Sequence, residues 1–221
     1  MSDLTTEDFI WQLKNSQDPD ERLYAAFKLG RERRDIVVQP LIDAIHDADV
    51  IVRARVVEAL GTRIEPEVVP PLIKALKDAD ALVRRTAAKS LSHIKDSRAV
   101  APLCDLLKDA DETVRGQVAE MLGHIPSLTA AEPLVDLFLH DSDANVRYFA
   151  KQSLSTIGTP KVVEVLLDSL QNESDINAIV DVIEILGLIG DSRAENALKT
   201  LATHEDEGIQ EMAQWALESL K

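Results

Sequence analysis

A chain of 221 residues that is 45% hydrophobic but holds only two Trp, two Tyr and four Phe must build its core from Leu, Ile, Val and Ala, a composition that suits helices. Its net charge of −15 argues against nucleic acid or an anionic membrane as the main partner, since both reward clustered Lys and Arg. A single cysteine, Cys104, excludes an internal disulfide framework and a four-cysteine zinc site.

The first ten residues, "MSDLTTEDFI", are acidic where a signal peptide is basic and then apolar, and no run approaches 18 uninterrupted apolar residues, so the expectation is a soluble, cytoplasmic protein. The charge is uneven. Residues 1–110 hold 17 Lys and Arg against 19 Asp and Glu, a net of −2, while residues 111–221 hold 7 against 20, a net of −13.

Along the chain, Pro40, Pro71, Pro102 and Pro133 stand 31 residues apart, each before an apolar pair. Arg53, Arg84, Arg115 and Arg147 follow at intervals of 31, 31 and 32, and Leu60, Leu91, Leu122 and Leu154 lie seven residues beyond them. Within one repeat, "VVPPLIKALKDAD" spaces its apolar residues helically and places Pro in the first turn, where no N–H is needed. Then "DALVRRTAAKSLSHI" opens on Asp80, a good N-cap, and returns apolar residues at Val83, Ala87, Leu91 and Ile94. Each repeat is therefore predicted to be a helical hairpin, A then B. Repeats starting near residues 3, 35, 66, 97, 128, 160 and 192 make residues 1–221 one all-α, right-handed solenoid of about seven 31-residue hairpins, with degenerate first and last repeats as caps.

The stretch "DADALVRRTAAKSLSHIKDSRAVAPL" resembles the HEAT-like repeat of the phycobilin lyases, and the resemblance covers nearly the whole chain. It implies an α-solenoid. It leaves function open, because such repeats serve scaffolds, adaptors and a few enzymes. The lyase branch implies attachment, isomerisation or detachment of a linear tetrapyrrole on a phycobiliprotein, with Arg55, Lys89, His93 and His124 as candidates to meet its propionates and pyrrole nitrogens.

In each central repeat an Asp lies six residues before the Arg: Asp47 and Arg53, Asp78 and Arg84, Asp109 and Arg115, Asp141 and Arg147. Five guanidinium donors facing carboxylate acceptors predict a structural ladder, also a feature of HEAT repeats, that stops where Ile179 and Gln210 occupy the Arg slot. The acid pairs "DAD" and "DSD", with "NESD" and "HEDE", are read as N-caps, since no glycine-turned calcium loop accompanies them. Cys104, in the slot of Ile42, Ile73 and Val135, is read as a small core residue, and the equivalent His93 and His124 as surface polar residues. Metal-dependent HEAT-type hydroxylases need several His-Glu pairs. This chain has one, His204-Glu205, in a predicted turn. No catalytic residue, metal or cofactor is expected.

Counting from the ladder Arg, residues −1, +3, +7 and +10 form the buried stripe of helix B, so +2, +5 and +9 face outward on the concave side, the surface by which solenoids bind. These positions read Tyr24 and Phe27; Arg55 and Glu58; Thr86, Lys89 and His93; Gln117, Glu120 and His124; Phe149 and Gln152; Asp181 and Glu184; Met212 and Trp215, with Tyr148 beside Phe149. The preferred reading is a non-catalytic scaffold or adaptor, monomeric or weakly dimeric, that docks a protein or peptide here. The acidic C-terminal half would steer a partner with a basic patch. The lyase-type subunit is the alternative. The regular period would also suit an engineered solenoid, whereas the uneven helix surfaces suit a natural binder.

Overall fold

Helix follows helix without a strand in the computed structural model, which describes residues 4–125, 128–171 and 173–220. The fourteen α-helices among the described residues are α1 (Thr6–Asn15), α2 (Pro19–Arg31), α3 (Val38–Asp43), α4 (Val50–Gly61), α5 (Val69–Ala75), α6 (Ala81–Ile94), α7 (Val100–Asp105), α8 (Glu112–Leu122), α9 (Ala131–His140), α10 (Ala144–Ile157), α11 (Pro160–Leu170), α12 (Ile176–Ile189), α13 (Glu195–Leu201) and α14 (Glu207–Ser219). The repeat start near residue 3 and Asn172 of the "NESD" turn lie outside the described residues. The architecture is an all-α solenoid of helical hairpins. It forms two compact units, Met1–Val114 and Arg115–Lys221, whose boundary falls within α8.

In the N-terminal unit the B helices α2, α4 and α6 pack in succession, and α1, α3 and α5 each pack against their own B helix. In the C-terminal unit α10 packs on α9 and α12, and α14 packs on α12 and α13. The predicted stripe is the core: Val52, Val56 and Leu60 of α4 and Val83, Ala87 and Leu91 of α6 are all fully buried. Each such Val or Leu side chain contributes about 1.5–3 kcal/mol on leaving water. The A segments differ from the expected single helix. In the second and fourth repeats six α-helical residues, Val38–Asp43 and Val100–Asp105, give way to 3-10 turns at Ala44–His46 and Leu106–Lys108. In the fifth, where one residue is inserted, Ala131–His140 is continuous α-helix.

The ladder forms, and it reaches one repeat further back than expected. Arg22, 31 residues before Arg53, donates from Nε and Nη2 to Asp47 at 2.7 and 2.8 Å. Arg53 holds Asp78 the same way at 2.9 and 3.0 Å, and Arg84 holds Asp109 at 2.7 Å through both nitrogens. In the C-terminal unit Arg115 holds Asp141 at 2.7 and 3.0 Å. Nη1 turns back to the carbonyl six residues earlier, from Arg53 to Asp47, Arg84 to Asp78 and Arg147 to Asp141. Arg22, Arg53 and Arg84 each tie their own turn to the carboxylate of the next repeat. That carboxylate also accepts the N–H of the second acid of its pair, as Asp78 does from Asp80 at 2.9 Å. The second acid then caps helix B: Asp49, Asp80 and Asp143 accept N–H bonds from the first turns of α4, α6 and α10.

Successive B helices also touch through small residues. Ser90 of α6 donates to the Val57 carbonyl of α4 at 3.1 Å, and Ser153 of α10 to Ala119 of α8 at 2.7 Å. Gly61 and Gly123 are required opposite them. A Cβ at Gly61 would stand 2.9 Å from Ser90 Cα, and one at Gly123 3.0 Å from Ser153 Cα.

Two outcomes follow. Burial pushes the Asp78 carboxyl up, but the hydrogen bonds from Arg53 and the Asp80 N–H, with the charges of Arg53 and Arg84, hold it net below the ordinary 3.8. A depressed carboxyl stabilises the fold above its unfolded pKa and loses that contribution as pH falls through the folded one. Asp78→Asn should therefore cost about 2 kcal/mol at neutral pH, with the gap to wild type closing below about pH 4, as urea midpoints across pH will read. Gly61→Val should cost about 2–3 kcal/mol by the same measurement, because the Ser90 Cα stands in the way as well as its side chain, so a rotamer change cannot relieve the clash.

Candidate functional site

Extending the ladder to Arg22 gives the N-terminal unit nine outward positions: Tyr24, Phe27 and Arg31 on α2; Arg55, Glu58 and Thr62 at α4; Thr86, Lys89 and His93 on α6. All of them but Tyr24 line two hollows. The first, about 380 Å³, lies between α4 and α6. Ala54, Gly61 and Ser90 form its floor, Ile51 and Leu82 give it apolar walls, and Arg55, Glu58, Thr62, Thr86, Lys89 and His93 supply its polar rim. The second, about 180 Å³, lies between α2 and α4, lined by Phe27 and Arg31 on one side and by Arg55, Glu58 and Thr62 on the other. The two share Arg55, Glu58 and Thr62, so they form one strip across three helices.

The small-residue contacts create this strip. Gly61 lets α4 approach Ser90 of α6 closely, and Arg55, Glu58, Thr86 and Lys89 at +2 and +5 of the two helices line the hollow there. Phe27 is sandwiched by cations, with the Arg31 and Arg55 guanidiniums 5.5 and 5.7 Å from its ring centroid, while Lys28 Nζ lies 5.1 Å from that of Tyr24. Tyr24 also meets Phe9 edge-on at 5.8 Å. Arg55 is ion-paired with Glu58. Among the described residues no carboxylate pairs with Arg31 or Lys89.

The C-terminal unit presents a different set. Glu120 and His124 are exposed and Gln117 is half-buried. Phe149 is half-buried: a Cβ at Gly116 would stand 3.3 Å from its ring, so it covers α8 at that glycine. Tyr148, 57% exposed, meets Phe149 edge-on at 5.6 Å and is the more available of the two. Gln152 is exposed, and Trp215 leans over Gly187, its ring 2.6 Å from where a Cβ would be. Met212 is half-buried. Asp181 and Glu184 are engaged by Lys151, whose Nζ is 3.1 Å from Asp181 Oδ1 and also bonds Glu184. Burial pulls the Lys151 ammonium down, but hydrogen bonds to Glu184 and Asp181 outweigh it and raise the group above its ordinary value.

Chemistry is scarce elsewhere. Cys104 is half-buried, and burial followed by the Asp105 charge pushes its thiol up, away from nucleophilic use. His204 Nδ1 accepts the Asp206 N–H at 3.0 Å within the turn before α14. Among the described residues no three His, Cys, Asp or Glu side chains form a metal-holding group, and no helix is long and apolar enough to cross a membrane.

Sequence reasoning missed Arg22, Arg31, Thr62, Ile51, Leu82 and Lys151. The signal for Arg31 and Thr62 was the +9 spacing that had picked out His93. Lys151 occupies a slot that holds Val57, Ala88 and Ala119 in other repeats, and a lysine where neighbours are small and apolar was the clue to a salt bridge between repeats.

Residues 6–62, 38–122 and 100–180 match the family described as HEAT repeats. A chain of the complex of CpcE and CpcF of phycocyanin lyase from Nostoc sp. PCC7120 is similar at 29% identity and a TM-score of 0.60, over 99% of this chain and 88% of that one. YibA of E. coli is similar at 25% identity and a TM-score of 0.62, over 96% and 81%. Computationally designed armadillo repeat proteins for modular peptide recognition share the fold at 23% identity and a TM-score of 0.51, over 98% and 100%. No curated protein matches the sequence.

Proposed function

The chain belongs to the HEAT-repeat family, and we propose that it is a non-catalytic interaction module that docks a protein partner, through a peptide segment, on the B-helix face of its N-terminal unit. The observation that carries this reading is the strip itself. Outward residues of three successive helices line two open hollows that share a wall. A row of shallow, linked hollows suits an extended chain placing alternate side chains, whereas a small-molecule site is a single concave pocket that buries most of its ligand. The Tyr148 and Phe149 pair of the C-terminal unit is a further contact surface, and that unit's acidic face suits a partner with a basic patch.

The similarity to a phycocyanin lyase chain supports a second reading, a lyase-type subunit that holds a linear tetrapyrrole. Arg55, Lys89 and His93 then meet its propionates at the first hollow, and the purified protein takes on colour when mixed with a bilin.

Thr62 lines both hollows and is exposed, so Thr62→Trp plugs the strip without changing charge. In parallel pull-downs from source-cell lysate, read by mass spectrometry, the wild type should capture a partner that Thr62→Trp loses at least about tenfold, with the melting temperature unchanged. Identical captured sets from the two baits would place the docking surface elsewhere.

A further inference from the structure

We infer that the segment received by the N-terminal unit is acidic with an apolar anchor: its carboxylates meet Arg31 and Lys89, and one aliphatic or aromatic side chain enters the hollow between Ile51 and Leu82. This rests on the peptide-docking reading and adds to it the chemistry of the peptide.

The sign of the face carries the inference. In the whole chain, 39 acidic residues outnumber 24 basic ones. On the nine outward positions of α2, α4 and α6 that balance is reversed, with Arg31, Arg55 and Lys89 against Glu58 alone. Glu58 is bound to Arg55, so it neutralises one cation of the strip and leaves the others unmatched. Ladder arginines of the same unit are each matched to a carboxylate; Arg31 and Lys89 have no carboxylate partner among the described residues. A partner that covers them without supplying acid would strip their hydration and return nothing, whereas a carboxylate returns charge-assisted hydrogen bonds, bidentate at arginine.

Geometry sets the rest of the motif. The cations stand on the rim while the space between them is walled by Ile51 and Leu82 and floored by Ala54, so the occupant needs an apolar side chain flanked by acids. Phe27, held between Arg31 and Arg55, adds an apolar surface in the second hollow. His93 on the rim adds a third kind of donor beside Lys89.

The test is selection of a phage-displayed library of random dodecapeptides on the immobilised full chain and on an Arg31→Glu/Lys89→Glu variant, with thermal melts to verify that both are folded. The wild type should enrich peptides with an excess of Asp and Glu around an apolar residue, and the variant should lose that excess. A synthetic copy of the strongest peptide should bind the variant about tenfold or more weakly. A neutral or basic selected set, or an acidic excess unchanged in the variant, would overturn this inference while leaving peptide docking in place. Recovery of no enriched peptide would overturn both.

Discussion

The bidentate bond from a B-helix arginine to the carboxylate of the following repeat is the contact on which the rest depends. The Arg53 guanidinium fixes four acceptors: the two oxygens of Asp78 in the next repeat and the Asp47 and Ala48 carbonyls at the base of its own turn. The aspartate so held presents its remaining capacity to the N–H of the second acid, which in turn caps the helix that carries the next arginine. Removing either partner would leave a charge in a partly buried turn and unset the start of a helix at once, so hairpin register and hairpin stacking are specified together. Aliphatic burial supplies more energy. It is less directional, and a stripe of Val, Ala and Leu could slide by a turn at modest cost where a bidentate pair could not.

The furrow between α4 and α6 is set by the same packing. Gly61 and Ser90 bring the two B helices together at the level of their backbones, and the long side chains on either side line the furrow. The character of that furrow cannot be inferred from total charge. Net −15 describes a chain whose carboxylates serve as caps, ladder acceptors and solvated surface; the outward positions of α2, α4 and α6 hold an excess of cations all the same. Those of α8, α10, α12 and α14 hold Glu120, Asp181 and Glu184 and no lysine or arginine.

What could be read in advance was whatever repeats. Proline, arginine and leucine recurring at one interval disclosed the hairpin, the ladder and the buried stripe, and Asp80 disclosed the helix start. Positions that break the pattern were harder. Arg22 was overlooked because Ser16 stands six residues before it in place of the usual aspartate, yet Arg22 itself bonds only the carbonyl of that residue. The contact of Phe149 with Gly116 was not legible because an outward slot says nothing about a glycine on the neighbouring helix. Arg63, in a slot filled by Ile94 and Ile125 elsewhere, is 7% exposed and bonds the last carbonyls of α2, a role set by the chain that happens to end beside it. Such features depend on contacts between repeats, which a single period does not encode.

The fifth repeat shows which quantity the fold holds constant. From Val100 to Lys108 the A segment has six α-helical residues and three in a 3-10 turn; from Ala131 to His140 it has ten, all α-helical. At about 1.5 Å of rise per α residue and about 2.0 Å per 3-10 residue, both spans come to about 15 Å. The inserted residue is absorbed by winding the chain less tightly stretched, and Asp141 arrives where Arg115 can grip it. The invariant is thus a distance, with residue number free to adjust between proline and aspartate. In this chain the interval from proline to aspartate takes an extra residue without loss of register, while the step from aspartate to arginine stays at six in all four central repeats.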